Sequence, residues 1–301
     1  MLQQFDSKKF AVKPVASIVL LFSLFIFLMV ATGMITTFLF GKMTNVAAAY
    51  RISAVLQSVL VFITPALAVA MLTTRFPASL LAVDRLPSLK FTLTAIFTLV
   101  VSIPLMNIII NWNQNLTFPE SMSGIVQTFK DLEAKSEDSI NIMTSGNSAG
   151  ILIVNIMIVG IFAGLGEELF FRGGLMRLLG GVKSIGTHKA IWISAIIFSA
   201  LHLQFFGFVP RMLLGVFFGY LLAWSGSLWI PILMHIINNS IIVTFEWINQ
   251  TNGTDIDINS IGTGSSTSDI IILTLSIVLT VFSLFMLYKF SKQTLLKSKI
   301  Q

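Results

Sequence analysis

Eight separate apolar runs, each long enough to cross a bilayer as a helix, constrain this chain more than any single residue does. They fall near 15–40, 53–73, 91–112, 150–170, 188–206, 208–224, 228–248 and 269–288, and about 17 residues at a rise of 1.5 Å suffice to span the hydrocarbon. In that medium the backbone must pair within its own segment, which selects helices. The expected fold is therefore all-α, a polytopic membrane protein with about eight transmembrane helices. Composition agrees, with 55% hydrophobic and 11% charged residues and a mean hydropathy of +0.89, far from that of a soluble domain. The longest polar stretch, roughly 113–147, is too short for a core of its own, so residues 1–301 read as a single membrane domain. The first run is too long for a signal-peptide core and should stay as a helix.

Loop charge assigns the two sides. Segment 113–147 sets Lys130 and Lys135 against Glu120, Asp131, Glu133, Glu137 and Asp138, and segment 246–269 carries Glu246, Asp255, Asp257 and Asp269 with no Lys or Arg. These two segments are expected outside. Lys8, Lys9 and Lys13, then Arg75, Arg85 and Lys90, then Arg177, Lys183 and Lys189, then Lys289, Lys292, Lys297 and Lys299 are expected in the cytoplasm, which puts both termini there. Lys42 and Arg51 fall on the wrong side. Ser225-Gly226-Ser227 is a tight turn that makes the sixth and seventh runs an antiparallel hairpin, and Gly215 with Gly219 forms a small-residue face. No internal repeat is evident, so an inverted-repeat transporter has no support.

With no cysteine in the chain, disulfides, thiolate metal sites and cysteine nucleophiles are excluded, which leaves Glu, His, Asn, Ser or water for any catalysis. The formal charge of +6 belongs to residues beside apolar runs, where it sets topology, and nucleic acid is not an expected partner. Against this background Glu167, Glu168 and Arg172 stand out, because ionisable groups at membrane depth cost at least about 2.5–3.5 kcal/mol each. Glu167 lies about 20 Å inside the basic end of its helix, which continues to Gly180-Gly181. His202 lies about 21 Å along the fifth run, and His235 and Asn239 about 10 and 16 Å along the seventh. Four polar groups from three helices thus reach one region. Glu168 and Arg172 share a helix face, whereas Glu167 is turned about 140° from Arg172 and stays free for chemistry. His235 and Asn239 also share a face, Asn238 points elsewhere, and Phe198 forms a wall beside His202.

Glu167-Glu168-x-x-x-Arg172, Phe198-x-x-x-His202 and His235-x-x-x-Asn239 resemble, in order and spacing, the three motifs of the CAAX protease and bacteriocin-processing family, also called the Abi family. The match makes residues 150–248 the catalytic core. The resemblance implies an intramembrane endopeptidase with a cavity open to the cytoplasm, in which Glu167 activates water and His202 helps to bind it. Glu168 and Arg172 support the site, and His235 and Asn239 stabilise the oxyanion. The substrate would be a peptide or membrane protein, and the home a bacterial cytoplasmic membrane. A metal-free mechanism with no cofactor is favoured; the alternative is Zn2+ on Glu167, His202 and His235. A second function class, a non-catalytic bacteriocin immunity protein or membrane scaffold on the same fold, is the competing reading. His188 is expected at the interface without a catalytic part, and Trp112, Trp229 and Trp247 in an aromatic belt.

Overall fold

The computed structural model describes residues 11–254 and 256–297; Lys8, Lys9, Asp255 and Lys299 lie outside them. Among the described residues there is no β-strand, and the chain is a bundle of helices. In chain order these are α1 (Pro14–Lys42), α2 (Val46–Thr73), the short α3 (Pro77–Leu81), α4 (Leu89–Val101) and α5 (Ile103–Gln114), α6 (Ser123–Thr144) and α7 (Ala149–Gly180). Then come α8 (Gly186–Ala200), α9 (Phe208–Ser225), α10 (Trp229–Asn252) and α11 (Thr267–Lys297). Side chains mark several ends: Asn45 accepts from Ala48 N–H, Ser88 from Phe91 N–H and Ser148 from Ile151 N–H, each satisfying an amide that a first turn leaves unpaired.

The chain is a multi-pass membrane protein. Six helices are long and apolar enough to cross, or seven if α4 and α5 count as one span bent by 46°, so the expected eight is an approximation. Pro104 explains the bend, since it lacks an N–H and clashes with the preceding turn. Ser276 on α11 repairs the gap: its Oγ donates to Val101 O at 2.6 Å and accepts from Leu105 N–H at 3.2 Å. The expected fifth span is the one that falls short. α8 has 15 residues, about 22 Å, because the antiparallel α8 and α9 need a real turn and not the single residue left between runs 188–206 and 208–224. The turn takes residues 201–207 and holds Leu203 at a φ of 56°.

The loops assort as their charges require. At one end, Asn113 Nδ2 donates to Phe205 O, Gly146 N–H to Gln250 Oε1 and Asn107 Nδ2 to Ile258 O, which gathers the two acid-rich segments and the 201–207 turn. At the other, Arg177 donates to Ser79 O, Ser227 Oγ to Arg85 O and Trp229 Nε1 to Val83 O. Arg51, anomalous by charge, caps α6 from α2, donating to Met143 O at 2.9 Å and Ser145 O at 2.8 Å, where a helix C-terminus favours a cation. Trp247 is half-buried near the end of α10, with its Nε1 turned inward.

This arrangement predicts a labelling pattern. The protein has no cysteine of its own, so single cysteines at Asp138, Ser265 and Ser184, all exposed, report cleanly. An impermeant thiol reagent added outside intact cells should label the first two and spare the third; labelling of all three would break the two-ended bundle.

Candidate active site

Three stretches of the bundle widen from α to π geometry, with hydrogen bonds that skip one more residue: Gln57–Ile63 in α2 and Ile156–Ala163 and Leu169–Met176 in α7. Glu167 and Glu168 sit on the five-residue α segment Gly164–Glu168 between the two π stretches of α7. Such insertions are rare and concentrate at functional sites. Small residues bring α10 against this segment. A Cβ at Gly160 would stand 2.7 Å from Ser240 Oγ, and one at Gly164 would stand 3.3 Å from Ile236 N. At Gly164 the contact is to backbone, so a side chain there would press the two helices apart.

The approach places His235 between both glutamates. Its Nδ1 lies 2.8 Å from Glu168 Oε1 and its Nε2 3.7 Å from Glu167 Oε2. Arg172 Nη1 donates to the same Glu168 Oε1 at 2.6 Å, and its Nη2 to Gly215 O at 3.1 Å. Glu168 and Arg172 are 0% and 1% exposed, whereas Glu167 keeps 16%. The guanidinium also lies 4.6 Å from the Phe198 ring centre and 5.6 Å from that of Phe218, a favourable placement for a desolvated cation. Gly215 makes room for it, since a Cβ there would lie 3.0 Å from Arg172 Nη2. The expected Glu168–Arg172 ion pair therefore forms. The 140° separation of Glu167 does not carry over in the form expected, because the π stretch begins at Leu169 and the angular step of a regular α-helix no longer applies; both carboxylates address one imidazole.

His202 lies beyond the end of α8, on the turn. Its Nδ1 is 2.8 Å from Phe198 O, so Nδ1–H donates there and Nε2 is left as an acceptor in the neutral ring. The Phe198 ring is centred 5.0 Å from that of His202 and 6.0 Å from that of His235, a wall shared by both histidines. Asn239 is one turn beyond His235, with Nδ2 donating to Val159 O at 3.0 Å and its Oδ1 accepting from Asn238 Nδ2 at 3.2 Å. Asn238 is thus tied to Asn239 and does not point elsewhere. His188 is at the basic end, its Nδ1 2.8 Å from Tyr220 Oη, away from the site.

Burial differs on the two sides of this layer. From Glu168 to Met176 every residue of α7 is buried, while Glu167, His202, Asn239 and Arg211 keep partial exposure. These four lie on the acid-rich side of the Glu168–Arg172–His235 layer. The turn bearing His202 is covered by α6: Phe129 stacks on Phe205 at 5.1 Å and 13°, and Gln204 Nε2 donates to Ser136 Oγ at 2.9 Å. Burial holds the Glu133 carboxyl on α6 above its ordinary range, against the pull of the Phe206 and Gly207 amides and of Arg211.

Arg211 is the residue the sequence reading missed. It sits in the first turn of α9, within a run read only for its apolar residues, although an arginine in such a run is itself a signal of function. Both Glu167 and Glu133 act electrically on it.

Among the described residues no three His, Cys, Asp or Glu side chains form a group able to hold a metal ion. Glu167, His202 and His235 are thus not gathered into a zinc site, although the Nδ1 contacts of the two rings would leave each Nε2 free to ligate. No step is derived through a metal.

A family model described as type II CAAX prenyl endopeptidase Rce1-like matches residues 149–241, the stretch that carries Glu167, Glu168, Arg172, His202, His235 and Asn239. The membrane-embedded CAAX protease MroQ of Staphylococcus aureus (strain USA300) is 31% identical over 99 residues. Over this stretch the chain is similar to the CAAX protease (CPBP) family. The aligned stretch covers 31% of this chain and 40% of that relative. No solved structure matches. The family match thus falls on α7, α8, α9 and the first half of α10, the four helices that build the site.

Proposed function

We propose that this chain is an intramembrane endopeptidase that hydrolyses a peptide bond of a membrane-associated protein or peptide with water activated by Glu167. The observation that carries the reading is the buried relay Arg172–Glu168–His235, which ends at a second carboxylate that remains accessible. A purely structural ion pair accounts for Glu168 and Arg172 but gives neither Glu167 nor His235 Nε2 a task.

Glu167 takes the proton from a water whose other hydrogen is accepted by His202 Nε2, and the hydroxide attacks the carbonyl carbon. The oxyanion then forms opposite the Nε2 edge of His235 and the second Nδ2–H of Asn239, fixed polar groups of a kind typically worth about 2.7–4 kcal/mol each. Glu168 accepts from His235 Nδ1–H and so orients the ring, while Arg172 balances its charge. Glu167 returns its proton to the leaving amine as the C–N bond breaks. The apolar surroundings raise the effectiveness of each of these charges.

The reading is tested on native substrates by comparing protein termini in membranes of cells that make the wild-type chain with those that make Glu167→Ala. Termini present only with the wild-type chain are expected; identical sets would sink the proposal. A bacterial cytoplasmic membrane with both chain ends inside is the setting this reading adopts.

A further inference from the structure

Arg211 and Arg172 are both cations inside the bundle, and their surroundings differ. Arg172 is matched by a carboxylate and a carbonyl. Arg211 Nη2 donates to Gln204 Oε1, but Nη1 is buried without a hydrogen-bond partner, and among the described residues no carboxylate lies within ion-pair distance of it. The nearby Glu133 makes no ion pair with it, and the Phe206 and Gly207 amides also act on that carboxylate. An unsatisfied charged donor in such a place is costly, and the chain makes room for it, since a Cβ at Gly207 would lie 3.1 Å from Nη2.

Its position gives the unpaired donor a meaning. Arg211 is close enough to Glu167 and to His202 to act on the charge of each, so it borders the place where the scissile bond is held on the proposed reading. It also lies on the side where the site keeps exposure. A guanidinium is a planar fork that matches a carboxylate through two parallel hydrogen bonds. A neutral peptide group matches that fork less well and leaves the charge uncompensated.

We propose that Arg211 is the specificity residue of this site and anchors a carboxylate of the substrate, carried either by the chain's C-terminus or by an Asp or Glu side chain near the cleaved bond. The proposal rests on the protease reading. Gln204 holds the guanidinium from behind, and through the Gln204–Ser136 bond the anchor is tied to α6. No covalent step is assigned to Arg211.

The test uses the full-length protein in detergent and a library of apolar decapeptides in three forms: free C-terminus, amidated C-terminus, and amidated with one Asp placed at each position in turn. Wild type should prefer one carboxylate-bearing form over the neutral amide by about 10- to 100-fold in kcat/KM, the worth of a charged hydrogen-bonded pair, with the effect in KM. Arg211→Gln should bring that ratio close to one, and Arg211→Lys should restore part of it. Preference for the free C-terminus or for the Asp form identifies the source. A wild-type ratio near one, or an equal fall for all three forms in Arg211→Gln, overturns the proposal, and the first of these needs no variant to fold. Binding of the same peptides to Glu167→Gln, read by fluorescence anisotropy, separates the two readings. Carboxylate-dependent binding that Arg211→Gln removes, without cleavage by wild type, would sink only the protease; cleavage or binding indifferent to the carboxylate sinks the anchor.

Discussion

Glu167→Gln lowers peptide cleavage by about 10²–10⁴-fold in kcat, the usual worth of a positioned general base, and leaves the melting point in detergent near that of the wild type. The amide keeps the shape of the side chain and removes only its basicity. The fold should tolerate it, because Glu167 is the partly exposed member of the pair and its nearest ion-pair contact, His235 Nε2, is at 3.7 Å. Purified protein, a quenched-fluorescence peptide and a thermal unfolding trace check both halves of the statement. Unchanged cleavage by a well-folded Glu167→Gln removes the catalytic assignment. Lost cleavage together with a large fall in melting point would instead make Glu167 a structural residue.

Glu168→Gln and Arg172→Met have the opposite profile: each destabilises the bundle by about 3–5 kcal/mol, because each strands an uncompensated charge that is sealed from water. Glu168 supports two partners at once, Arg172 Nη1 at 2.6 Å and His235 Nδ1 at 2.8 Å. Its loss therefore frees the imidazole as well as the guanidinium. The double variant should recover much of the loss, since no lone charge is left behind. Melting points of the two single variants and the double variant in one detergent close the cycle. Single variants that melt like the wild type would mean that the pair is not desolvated as its burial requires.

These two variants separate residues that a motif treats alike. Read from the sequence, Glu167 and Glu168 are neighbours whose roles differ by helical phase alone. In the structure the phase is changed by the π stretch that begins at Leu169, and the difference comes instead from burial and from partners on other helices. His202 shows the same limit. Its spacing from Phe198 is right, but it sits on a turn and not inside a span, and the reason is the chain length needed to reverse direction before α9. Arg211 was visible in the sequence as a charge in an apolar run. What was not visible is that its neighbours leave one edge of it unpaired.

The sequence by itself determined that this chain forms a helical bundle in a membrane, that its acid-rich and basic loops gather at opposite ends, and which six residues the family motifs single out. Each of these follows from local quantities: run length against bilayer thickness, charge beside a span, and residue spacing along one helix. Only the tertiary structure decided that one imidazole stands between both glutamates, that Asn238 holds Asn239, that α6 covers the turn bearing His202 and that Arg211 borders the site. Contacts between helices depend on the rotation and depth of each, and here close packing at Gly160, Gly164 and Gly215 and the widened turns of α7 set both.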